Sequence, residues 1–153
     1  MIKAEIENIL KIKPEIARVE KLEDLTDEFR LGRNPSDLLE LMELSDKNIL
    51  SVALYILGEI NVYSDITLQK IIKRLFVLST YEDSHIRYST LINIASLTEY
   101  INPKELKDIY NKLSKDSDSD ISETAIQLST TGRIATPNQN DKNGGIENER
   151  SEY

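Results

Sequence analysis

The chain has no cysteine and no tryptophan, only two phenylalanines, one histidine, four prolines and five glycines in 153 residues. Without cysteine, neither disulfides nor thiolate metal sites are open to it, which is compatible with a cytoplasmic location. Positive charge is also short: 19 Lys and Arg face 27 Asp and Glu, a net charge of −8. That balance speaks against a nucleic-acid binder, which needs Lys and Arg to displace phosphate counterions. It equally speaks against docking on anionic lipid. No apolar run reaches the length of about 18 residues that a spanning helix needs. The start, MIKAEIENILKIK, lacks the apolar core and small-residue cleavage site of a secretory signal. No Gly-rich phosphate loop, zinc spacing, nucleophile elbow or dinucleotide fingerprint occurs. The expectation is therefore neither an enzyme nor a cofactor- or metal-binding protein.

What is present is Leu, Ile, Lys and Glu in quantity, the composition of an all-helical chain. The stretch that organises it is Asp46–Gly58, DKNILSVALYILG. Ile49, Val52, Ala53, Ile56 and Leu57 fall at i, i+3, i+4, i+7 and i+8, and Leu50 and Leu54 widen that stripe. A helix this apolar packs between neighbours. Its frame returns in DSHIRYSTLINIA, with Ile86, Thr90, Leu91 and Ile94 in the places of Ile49, Ala53, Leu54 and Leu57. It returns again in SDISETAIQLST, with Ile121, Ala125, Ile126 and Ser129. From Ile49 to Ile86 is 37 residues and from Ile86 to Ile121 is 35, a spacing that marks a repeat of helical units.

The remaining helices follow from caps and breakers. Residues 2–12 form a short amphipathic helix on Ile2, Ile6, Ile9 and Leu10. Pro14 opens the next, about Glu15–Phe29, with Ile16, Val19 and Leu22 inward, Leu25 at the margin and Gly32 as its stop. Asn34-Pro35 and Asn102-Pro103 each read as a cap with proline at the first helical position. The first leads to about Leu44 on Leu38, Leu39, Leu41 and Met42; the second carries Leu106, Ile109, Tyr110 and Leu113. Asp65 is a candidate cap for Ile66–Ser79, whose apolar face includes Leu68, Ile71, Ile72, Leu75, Phe76 and Leu78. The helices that begin at Asp46, Asp83 and Asp116–Asp120 are expected to end near Ile60, Tyr100 and Arg133. The tail from Thr136, TPNQNDKNGGIENERSEY, has one aliphatic residue, too few to offset the entropy of ordering it.

The layout resembles the HEAT-repeat, armadillo-like family: an A helix, a turn, then a B helix that starts with Asp and continues V-R-x-x-A-x-x-x-L-G. The first copy matches at Asp46, Ile49, Leu50, Ala53, Leu57 and Gly58. The second matches at Asp83, Ile86, Arg87, Thr90, Ile94 and Ala95, and the third at Asp120 or Asp118, Ile121, Ser122, Ala125, Ser129 and Thr130. Only the second keeps the Arg, and only the first keeps Leu-Gly. The resemblance covers about 34–133 and implies an all-α, short right-handed α-solenoid of about eight helices, with B helices on the concave side. Residues 1–33 would cap repeats at 34–60, 65–99 and 102–133, making one domain over 1–135 with a disordered polar tail at 136–153. It implies no reaction.

Three constellations invite chemistry. Asp116, Asp118 and Asp120 suggest a calcium loop, but the sixth and twelfth positions hold Ile121 and Gln127 instead of Gly and Glu; a capped turn is the better reading. His85 has no cysteine or second histidine to pair with, and Glu82 and Asp83 are ordinary at a helix start. Beside the core stripe of the B helices, however, stand Ser51, Tyr55 and Glu59; Tyr88, Ile92 and Glu99; and Glu123 and Gln127. Tyrosine is favoured at protein interfaces, and carboxylates around it select a basic partner. The expected partner-binding residues are Tyr55, Glu59, Tyr88, Glu99, Asp120 and Glu123. A small acidic HEAT-like protein resembles the immunity proteins of bacterial toxin systems, including contact-dependent growth inhibition. That resemblance implies a 1:1 complex that blocks the basic cleft of a toxin, typically a nuclease. The alternative is a HEAT-repeat adaptor within a larger assembly. HEAT-like DNA glycosylases are the poorest fit, because they need a basic, aromatic groove.

Overall fold

The computed structural model describes residues 1–61 and 65–132, with Asp65 described through its backbone only. The Asp65 cap, most of the 61–64 link, the end of the last helix at Arg133 and the tail at 136–153 lie outside the described residues. Among those described there are eight α-helices, one 3-10 turn and no strand. In chain order they are α1 (Ile2–Leu10), α2 (Glu15–Arg30), α3 (Ser36–Met42), α4 (Lys47–Gly58), α5 (Asp65–Leu78), α6 (Ser84–Ser96), a 3-10 turn (Thr98–Tyr100), α7 (Pro103–Leu113) and α8 (Ser119–Thr131). Backbone contacts divide the chain into two compact units, Met1–Ile109 and Tyr110–Tyr153.

Each central helix starts where an aspartate supplies the missing acceptor. Asp46 Oδ1 accepts from the N–H groups of Asn48 (2.8 Å) and Ile49 (3.1 Å). Asp83 Oδ1 does the same for His85 (2.9 Å) and Ile86 (3.4 Å). In α8 the cap is Asp118, which accepts from Ile121 at 3.1 Å. Asp120 therefore lies in the first turn and is exposed. Asn34 and Asn102 close their own turns, accepting from Ser36 (2.9 Å) and from Lys104 (2.9 Å). Gly32 ends α2 with φ +118, a conformation that side chains resist.

In the first unit, α4 packs against α3, α6 and α1, while α5 packs against α3 and α6, and α1 against α2 and α3. Seven of the 12 residues of α4 are buried, as expected for a helix with neighbours on several sides. Ala53 and Ile56 have no exposed surface, and Leu54 and Ile49 almost none. Each fully buried Leu or Ile of this kind contributes about 1.5–3 kcal/mol. Polar ties lock neighbouring pairs together. Arg74 Nε donates to the Met42 carbonyl at 2.6 Å, and the Tyr81 hydroxyl donates to the Ser45 carbonyl. Arg87 donates to the carbonyls of Tyr81 and Glu82, both at 2.9 Å, and so closes the turn before α6.

Three sequence expectations need correction. Ile16 and Val19 are not inward: they are 69% and 49% exposed, and α2 buries Leu25, Thr26 and Phe29 instead. The inward stripe of α2 thus runs along its C-terminal half. Secondly, α6 stops at Ser96 rather than near Tyr100, so Glu99 stands on the 3-10 turn and not on the helix. In the second unit, α8 buries Ile121, Ala125 and Leu128, a clean i, i+4, i+7 row, while Ile126 and Ser129 are exposed. The last helix has the narrower stripe of a one-sided element.

Candidate protein-binding face

The outward row of α4 is Ser51, Tyr55 and Glu59, one turn apart each time. Tyr55 is half exposed, and its hydroxyl donates to Glu23 Oε2 at 2.8 Å. Glu59, the residue after α4, accepts from Arg30 Nη2 at 2.8 Å. Arg30 also donates through Nη1 to Asp27 Oδ1 at 2.7 Å and stands 3.6 Å from Glu23 Oε1. Glu23, Asp27 and Arg30 lie on one face of α2, at i, i+4 and i+7, so that face and the outward row of α4 join in one cluster. Three carboxylates and a tyrosine surround a single guanidinium.

The electrostatics follow. The hydrogen bond to Asp27 holds the Arg30 guanidinium firmly charged, with Glu59 and Glu23 adding to it. The Tyr55 phenol is pushed above its usual range, first by its hydrogen bond to Glu23, then by burial and the nearby negative charge. The pairs are exposed enough for water to screen them, so the cluster contributes more to shape and charge than to stability. It gives the Tyr55 hydroxyl an acceptor in Glu23 and leaves the face with a surplus of negative charge.

Tyr88 lies on α6, partly buried, and α6 packs on α4. At the start of these two helices Ser51 Oγ stands 3.4 Å from His85 Nε2, and Lys47 Nζ stands 3.5 Å from Asp83 Oδ2. Burial raises the Asp83 pKa, but the N–H groups of Ile86 and His85, and then Lys47, outweigh it and the net shift is downward. Glu99 is exposed on its turn. Asp120 and Glu123 are exposed on α8, in the second compact unit. Of the six residues expected from sequence, the structure gathers Tyr55 and Glu59 into one bonded cluster. In the DSDSD turn, Asp116 Oδ1 accepts from the Asp118 N–H at 2.9 Å and Asp118 caps α8, the work of a turn.

Sequence reading missed Glu23, Asp27 and Arg30. The i, i+4, i+7 spacing was available to find them, but nothing local shows that Glu59, 29 residues on, meets Arg30. It also missed Arg33, which ties three helices. Arg33 donates to both oxygens of Glu5 (2.9 and 2.6 Å), to Asp37 (2.9 Å) and to Glu28 (3.0 Å). Its guanidinium also lies 5.3 Å from the centre of the Phe29 ring. Among the described residues no helix is long and apolar enough to cross a membrane. The fold is all-helical, and its best-built exposed feature is a tyrosine held among carboxylates. Comparison with protein-family models, with curated proteins and with solved structures found no match.

Proposed function

We propose that the chain is a short HEAT-like α-solenoid that binds a basic protein, and that it acts as an immunity protein neutralising a bacterial toxin domain. Three features support the solenoid. Asp46, Asp83 and Asp118 cap every second helix, α4, α6 and α8, at intervals of 37 and 35 residues. In the first unit α4 stacks on α6 as α3 stacks on α5, and Arg87, at the motif's arginine position, closes the turn before α6. The binding reading is carried by the Tyr55 cluster: a ring held at its hydroxyl by Glu23 beside carboxylates that Arg30 does not fully neutralise. That hydrogen bond restrains the ring and lowers the entropy cost of burying it against a partner. The surplus charge speeds encounter with a basic cleft and selects for it. Carboxylates there stand in for the phosphates that a nuclease would hold.

The test is affinity capture of the N-terminally tagged chain from its native lysate, at low and high salt. The proposal expects one stoichiometric basic protein, lost as salt rises, whose nuclease activity stops when this chain is added. Capture of several subunits of one assembly at both salts contradicts it and favours an adaptor.

A further inference from the structure

Ile16 and Val19 are the two large apolar side chains that α2 leaves in solvent, 69% and 49% exposed. They stand at i and i+3 on one face, and Glu23 follows Val19 one turn later. Glu23 holds the hydroxyl of Tyr55, itself 49% exposed. An apolar row on α2 therefore runs into the tyrosine of α4. The charge along this helix is mixed but net negative. Across α2, Glu15, Glu20, Glu23, Asp24, Asp27 and Glu28 outnumber Arg18, Lys21 and Arg30 by six to three.

We infer that this row docks an amphipathic basic helix of a partner protein, with two apolar side chains over Ile16 and Val19 and Lys or Arg over the flanking carboxylates. The inference rests on the reading of this face as protein-binding, and it names the element that binds. A row at i, i+3 on a helix offers ridges and grooves that another helix fills. Among the described residues there is no strand, so no sheet edge invites an extended peptide. A second copy of this chain is a poor occupant, because two faces of like charge would meet. An anionic membrane is repelled for the same reason. A basic helix satisfies both the apolar row and the surplus charge.

The probe is a labelled Leu/Lys amphipathic peptide, compared with a Leu/Glu peptide of the same pattern, with binding followed by fluorescence anisotropy. The expected result is salt-sensitive binding of the Leu/Lys peptide alone. The double variant Ile16→Ser, Val19→Ser should bind it about tenfold more weakly, with a far-UV CD melt showing that the fold persists. Glu20→Lys should weaken binding and flatten its salt dependence. Ile126→Ser, an exposed apolar site on α8, serves as the control and should change nothing. Failure of the intact chain to bind the Leu/Lys peptide, equal binding of both peptides, or full binding by the double serine variant would overturn the inference. No toxin enters this measurement. Peptide binding without protection from a toxin would sink the inhibitor reading alone; protection without peptide binding would sink this one alone.

Discussion

Replacing Arg33 by Met keeps most of the aliphatic stem and removes the charge that ties α1, α2 and α3. The side chain is 20% exposed, and its partners Glu5, Glu28 and Asp37 are 41%, 56% and 34% exposed. Partners that wet are worth a fraction of a kcal/mol each; the two-oxygen grip on Glu5 is worth more, and the stacking on Phe29 adds about 0.5 kcal/mol. Discounted for solvent, Arg33→Met should cost about 1–2 kcal/mol, a fall in Tm of about 5 °C. The loss should also depend on pH. The Glu5 carboxyl sits below its ordinary value chiefly because Arg33 donates to it, against the opposing effect of burial. A depressed carboxyl contributes stability that is complete above its unfolded pKa of about 4.3 and is lost as pH falls toward the folded value. The gap between native and Arg33→Met chains, measured by urea unfolding, should therefore be full at neutral pH and narrow near about pH 3. An equal gap at both pH values, or none at neutral pH, would refute the Glu5–Arg33 account.

Other substitutions test other joints. Asp46→Ala removes the acceptor of two N–H groups at the start of α4 and should cost about 1 kcal/mol in thermal unfolding; a change below a few tenths would mean the cap is idle. The Tyr55 phenol should ionise above the ordinary value of about 10 in an alkaline absorbance titration, and Glu23→Gln should bring it down. An unchanged midpoint in that variant would remove Glu23 as the cause. Gly58→Ala places a Cβ 3.6 Å from Asn93 Oδ1, an ordinary contact. It should stabilise the chain by roughly 0.5 kcal/mol, because alanine favours helix over glycine; a loss instead would show that Asn93 cannot yield.

The central helix was legible because its apolar stripe is wide and its cap is a single residue: both are local patterns, and both Asp46 and Asp83 lie where their sequence placed them. The outward position of Tyr55 followed from the same periodicity. Ile16 and Val19 misled because an apolar pair at helical spacing reads the same whether a neighbour covers it or not. Glu99 misled because α6 ends before it in a 3-10 turn, and helix ends depend on the chain that follows. Arg30 and Arg33 each have near partners, Asp27 and Asp37, at helical spacing, but the bonds that tie helices together were invisible: Glu59 is 29 residues from Arg30, and Glu5 is 28 from Arg33. Long-range ion pairs leave no period to read.

We propose above that the acidic face around Tyr55 binds and silences a basic toxin domain. The most direct measurement is growth of cells expressing that domain together with this chain, either native or carrying alanine at Tyr55, Glu59 and Tyr88. Tyr55 and Glu59 are exposed and Tyr88 is partly buried on the neighbouring α6, so circular dichroism should report an intact fold. The native chain is expected to protect and the triple-alanine chain is not. Protection by both, with equal complex formation, would contradict the proposal.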